Sequence, residues 1–147
     1  MVGGDKIGDA GRSKGINGGD FDEKIQYFTE SMNMEELHEY CLRMPGVEES
    51  FPFGEETLVF KVGGKIFLLA SLVQGNRFNA KCDPERAIEL RERYEEVQPG
   101  YHMNKRHWNT VRMDGSLKAK EIREMIDHSY EIVVEALPKK VRDGLKT

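Results

Sequence analysis

Two runs rich in β-forming residues, Thr57–Val62 and Lys65–Leu72, are separated only by Gly63-Gly64. A two-residue connection closes a primed turn whose central residues need positive φ, which glycine supplies without steric cost. The chain must therefore accommodate an antiparallel hairpin. With Val62 opposite Lys65, one face carries Leu58, Phe60, Val62, Phe67 and Leu69, and the other carries Thr57, Val59, Lys61, Ile66, Leu68 and Ala70. The first face is the expected core side. The second is hardly polar, and Val59, Ile66 and Leu68 on it form a candidate packing surface for a partner or a second copy of the chain.

The segments around the hairpin read as three helices and further strands. Asn33 with Glu36 resembles a capping box ahead of Met34, Leu37, Cys41 and Met44, which share one helical face until Pro45-Gly46. Val47 to Glu56 is acidic and turn-rich. After the hairpin, Phe78, Ala80 and Cys82 alternate with Arg77, Asn79 and Lys81 as in a half-buried strand, and Asp83-Pro84 opens a helix lined by Ala87, Leu90, Arg91 and Tyr94. Pro99-Gly100 turns into an extended segment, a polar connection at Asn104-Lys105-Arg106 and a strand from about His107 to Met113. Trp108 on that strand is expected in the core. Ser116 is placed to cap a last helix carrying Ile122, Ile126, Ser129, Tyr130, Val133 and Leu137, which Pro138 ends. The order α-β-β-β-α-β-β-α predicts an α+β fold, a two-layer antiparallel sheet of about five strands with helices on one face.

A chain of 147 residues, 38% hydrophobic and 33% charged, suits one domain with one core. That domain is expected over residues 32–147. Residues 1–31 are rich in Gly, Asp, Ser and Lys and are expected to form a disordered N-terminal extension. Gly8 to Gly15 within it lacks the Gly-Lys-Ser/Thr ending of a phosphate loop. No apolar run is long enough to span a membrane and no signal segment opens the chain, so no membrane partner and a cytoplasmic location are expected. Cys41 and Cys82 are lone cysteines without a CxxC spacing and read as reduced, buried thiols.

Neither metal nor cofactor chemistry is expected. His38 and Cys41 supply two ligands where structural zinc needs four. His102 and His107 are an odd number of residues apart and would face opposite ways on one continuous strand. Lys105, His107 and Asp114 compose an acid-base set on paper, but no nucleophile stands near them in sequence, and no enzyme activity is expected.

Charge is segregated along the chain. Between Thr57 and Cys82, and again between Val97 and Met113, there are no acids, while Lys61, Lys65, Arg77, Lys81, Lys105, Arg106 and Arg112 fall there. With those seven cations set aside, the remainder carries −11 to reach the overall −4. A sheet bearing that charge can attract a polyanion although the net charge is negative. The plainer reading pairs sheet cations with helical acids.

Tyr101-His102-Met103-Asn104-Lys105, His107-Trp108-Asn109-Thr110-Val111 and Asp114-Gly115-Ser116 resemble the signature of the MmcQ/YjbR family of small bacterial proteins. Met44-Pro45-Gly46-Val47-Glu48, Phe53-Gly54, Phe60-Lys61-Val62, Lys81-Cys82-Asp83-Pro84-Glu85, Ser129-Tyr130 and Leu137-Pro138-Lys139-Lys140 also fall where that family has them. The resemblance runs from about Met34 to Leu145. It implies an α+β layout like the secretion-chaperone-like fold, and DNA binding through a double wing of β-hairpin and loop.

Carried onto these residues, that function gives double-stranded DNA as the partner. Lys105, Arg106, Lys61, Lys65, Arg77 and Lys81 then meet phosphates, and Asn104, His107 or Arg112 touch base edges or sugars. The alternative is a protein-interaction or dimerisation module with no nucleic-acid role, a homodimer through the sheet face being its simplest form.

Overall fold

The computed structural model describes residues 32–73 and 75–145. The expected N-terminal extension, residues 1–31, lies outside the described residues. The elements in order are α1 (Met34–Leu42), β1 (Val47–Ser50), β2 (Thr57–Val62), β3 (Lys65–Ser71), β4 (Arg77–Lys81), α2 (Pro84–Arg93), β5 (Val97–Pro99), β6 (Trp108–Arg112), α3 (Ala119–Glu135) and α4 (Lys139–Gly144). The six strands form one sheet in the order β1-β2-β3-β4-β6-β5, with every neighbouring pair antiparallel. This is the α+β layout that the hairpin and the caps predict.

Local signals explain most boundaries. The Asn33 side chain accepts the Glu36 amide and the Glu36 carboxylate accepts the Asn33 amide, closing the capping box of α1. Asp83 caps α2 by accepting the amides of Glu85 and Arg86, with Pro84 in the first turn. Gly63 and Gly64 take φ of 59° and 81°, which the two-residue turn between β2 and β3 requires.

The core lies between the sheet and α3, where Phe60, Phe67, Phe78, Leu68, Ile122 and Ile126 are fully buried. Tyrosine hydroxyls tie α3 to the helices and turns beside it. Tyr40 donates to Asp127 at 2.7 Å, Tyr94 to Glu121 at 3.0 Å and Tyr130 to the Pro45 carbonyl at 2.5 Å.

Several expectations are corrected. The acidic stretch after Gly46 contains the edge strand β1, whose Val47 pairs with Val62 and whose Ser50 pairs with Val59. The hairpin faces are right only near the turn. Phe60 pairs with Leu68 and Lys61 with Ile66, so Phe67 is an extra residue in β3, a bulge that brings two successive side chains inward. Beyond it, Leu68 and Ala70 face the helices with Leu58 and Phe60, and Leu69 joins Val59 on the other face. The proposed patch of Val59, Ile66 and Leu68 therefore does not exist as a surface: Val59 and Leu68 are both fully buried and lie on opposite faces.

The remaining corrections concern ends of elements. The extended segment precedes Gly100 as β5, and residues 101–107 form a turn-rich loop. Ser116 does not cap α3. The N-cap position is Lys118, whose amide is held by the Glu121 carboxylate at 2.8 Å, while Ser116 turns to Glu96. Beyond Pro138 the chain adds the short α4.

Candidate nucleic-acid interface

The outer face of the sheet, turned away from the helices, follows from the strand registers. One row runs Val59, Leu69, Asn79, Thr110 and Gln98 across five strands. A second runs Thr57, Ser71, Arg77 and Arg112, and Lys81 sits opposite Trp108. Alternation along β2 adds Lys61 to the same face. The acid-free blocks thus place Lys61, Arg77, Lys81 and Arg112 on one side of one sheet.

Their electrostatics differ in detail. Arg77 and Arg112 are direct cross-strand partners, an arrangement of like charges that costs stability unless an anion sits nearby. Asp114 partly answers this, with its carboxylate 3.4 Å from Arg112 Nε. At the sheet edge Glu48 lies opposite Lys61. Among the described residues Arg77 and Lys81 make no ion pair, so the unanswered charge centres on β4.

Two loops border this face. Residues 51–56 present Phe51 and Phe53, the latter 64% exposed, together with the acids Glu55 and Glu56. Residues 101–107 present Tyr101, 69% exposed, with the His102 ring 4.0 Å from it between centroids and His102 held at a φ of 60°. Between the loops lies a groove of about 470 Å³ whose lining includes Phe53, Leu69, Arg77, Asn79, Tyr101 and His102.

The loop residues singled out in the sequence divide into two kinds. Asn104 is exposed, and its side-chain oxygen accepts the amides of Arg106 and His107 at 2.9 and 3.3 Å, a turn-forming role for that oxygen. Lys105 donates its ammonium to the Gly100 carbonyl at 3.0 Å and so fastens the loop on itself. His107 is half-buried, its carbonyl accepting the Cys82 amide at 2.8 Å. Arg106 and Lys65 are exposed and have no ion pair among the described residues. Trp108 is half-buried on the outer face rather than in the core.

The paper acid-base set does not assemble. Lys105 is spent on Gly100, and Asp114 is held by Arg112 and by the Asn76 side-chain Nδ2 at 2.5 Å. His38 bonds Glu49 at 2.8 Å while Cys41 is buried away from solvent. Among the described residues no group of three or more His, Cys, Asp or Glu side chains is arranged to hold a metal. No helix there is long and apolar enough to cross a membrane.

Sequence reasoning missed Arg91, which holds the whole loop. It reaches from α2 to the Asn109 side-chain oxygen at 2.7 Å and to the Lys105 carbonyl, and Asn109, only 2% exposed, in turn approaches the Ala87 carbonyl. The only signal was an arginine on the apolar face of α2. Buried Glu96 was also missed. Ser116 donates to it from both amide and hydroxyl, and these bonds hold its carboxyl below the ordinary range despite burial.

A six-stranded antiparallel sheet with helices on one side and a two-loop groove on the other defines a small α+β protein. The YjbR family model matches residues 42–132, more than half of the 147-residue chain, and the protein belongs to that family. It is 40% identical to the uncharacterised protein YbdF of Escherichia coli O157:H7 over 74% of this chain and 93% of that one. It is 36% identical to YjbR of Escherichia coli K12 over 76% and 95%. Its fold resembles the crystal structure of Deinococcus radiodurans protein DR2400, a DUF419-domain protein, with a TM-score of 0.73 and 35% identity over 82% of this chain and 90% of that one.

Proposed function

We propose that this protein binds DNA through the outer face of its sheet, with the 51–56 and 101–107 loops as flanking wings. The observation that carries the reading is the cross-strand pair Arg77 and Arg112, with Lys81 on the same face and Arg77 and Lys81 free of ion pairs among the described residues. A phosphate between such cations removes the repulsion and releases counterions. Glu55 and Glu56 repel phosphates from the first wing, so the backbone of the bound DNA passes on the β4–β6 side. The first wing then contributes aromatic surface in place of charge.

Anisotropy titration of labelled DNA across a salt series tests this. Affinity should fall as salt rises, and Arg77→Ala should reduce the slope by about one. Absence of binding at low salt with micromolar protein overturns the proposal.

A further inference from the structure

We propose that the groove on the outer face captures one unstacked base of a single-stranded segment, a reading that rests on the DNA-binding proposal and names the form of DNA it takes. Three features of the groove correspond to the face of a base, the adjoining phosphate and the edge of the base. Tyr101, backed by the His102 ring, and Phe53 present exposed aromatic surface on which a base can stack. Arg77 lines the same groove and supplies a guanidinium for the adjoining phosphate.

The third feature is the floor. The Tyr101 amide donates to the Thr110 hydroxyl at 2.9 Å, and that hydroxyl donates to the Asn79 side-chain oxygen. This relay orients the Asn79 amide. With its oxygen committed, its Nδ2 group has no hydrogen-bond partner among the described residues and remains a donor within the groove. A ring nitrogen or carbonyl on a base edge is the acceptor it fits.

Size and charge select this occupant over others. About 470 Å³ lies within the range of about 300–1,000 Å³ typical of small-ligand sites, room for one nucleotide unit. A purely aliphatic ligand would bury the Asn79 donor and Arg77 without partners. A base within a duplex has its faces stacked and its pairing edge taken, so it cannot offer both to the groove. Arg112 opposite Arg77, and Lys81 at the far end of β4 across Asn79, carry positive charge to both sides of the floor, along which the neighbouring phosphates of a strand can run.

The experiment titrates the full chain with a labelled single-stranded oligonucleotide of mixed sequence and with its blunt duplex, repeated for Tyr101→Ala, Phe53→Ala, Asn79→Asp and Arg77→Ala. Single-strand binding should be tighter than duplex binding. Tyr101→Ala should weaken it by about 5- to 150-fold, the range for losing one base–aromatic stack, without changing the salt slope. Arg77→Ala should instead reduce that slope by about one. Asn79→Asp keeps the acceptor for Thr110, removes the donor and should weaken the single strand. Tyr101 and Phe53 are largely exposed, so unchanged thermal midpoints should confirm that the variants fold.

If duplex and single strand bind equally and the Tyr101 and Phe53 changes alter neither, base capture is overturned while DNA binding stands. If neither form binds at low salt, both proposals fall. Competition by a free nucleoside monophosphate as effective as the strand would overturn the strand and assign the groove to a small nucleotide.

Discussion

The hydroxyl of Ser129 donates to the Phe67 carbonyl at 2.5 Å, linking the middle of α3 to the bulge of β3. The same oxygen accepts the Lys81 amide of β4 at 2.9 Å. A bulge in one ladder leaves backbone groups beside it unpaired, and here one buried side chain serves a backbone group from β3 and one from its other neighbour β4. The geometry of the outer face therefore depends on a serine beneath it.

Ser129→Ala should cost about 1–3 kcal/mol, because it leaves a buried carbonyl and a part-buried amide without their partner. Urea denaturation of the two proteins measures it. A change within a few tenths of a kcal/mol would show that the bulge satisfies itself by other means.

Arg91→Ala should destabilise by about 1.5–3 kcal/mol, since the charged guanidinium is lost from the buried Asn109 oxygen and the Lys105 carbonyl. Hydrogen exchange should localise the loosening to the loop after Gly100 and the start of β6. Uniform acceleration across the domain would contradict a local clamp.

Lys81 and Lys105 should separate charge from loop architecture. Lys81→Ala should lower the salt slope of DNA binding by about one, as expected for a phosphate contact. Lys105→Ala should leave the slope nearly unchanged, because its ammonium is engaged by the Gly100 carbonyl, and should act through the position of Tyr101. The reverse pattern would move the phosphate path onto the loop.

Glu96 gives a pH dependence of known sign. Its carboxyl is held below the ordinary value near 4.5 in the folded protein by the Ser116 amide and hydroxyl. Between that value and its lower folded pKa the unfolded chain binds more protons, so stability rises with pH there and the contribution is complete above it. The stability gap between the wild type and Glu96→Gln should be constant near neutrality and shrink as pH drops below the ordinary carboxylate value. Chemical denaturation at stepped pH reads this, and a gap that widens on acidification would reverse the sign.

Cys41 and Cys82 should resist alkylation at neutral pH. Burial pushes their thiols up to about 12 and about 11, leaving little thiolate to react. Labelling should appear with unfolding, and rapid labelling of the native protein would show that a thiol is reached by local opening.

What the sequence determined by itself was set by short-range chemistry. Gly63-Gly64 required a hairpin, Asn33 with Glu36 and Asp83-Pro84 marked helix starts, and the absence of acids from two blocks marked the strands that carry positive charge. Each depends on residues a few positions apart, whose conformational preferences act wherever the segment lies. The family resemblance implied the same α+β layout that these local signals predict.

Tertiary structure decided the rest, because the deciding contacts join residues far apart in the chain. Periodicity cannot reveal a bulge, so the inward face of β3 was misread beyond Phe67; the Ser129 hydroxyl that meets the Phe67 carbonyl comes from a helix 62 positions later. Asn104 and Lys105 look like ligand contacts in sequence, and here the engaging partners are local, the Arg106 amide and the Gly100 carbonyl within the same loop, but that loop is held in place by Arg91 from α2. Only pairing of β4 with β6 sets Arg77 against Arg112, and only the closeness of the two loops makes a groove from Phe53 and Tyr101. A side chain's chemistry is local, but whether that chemistry is spent inside the fold or left for a partner depends on which neighbours folding delivers.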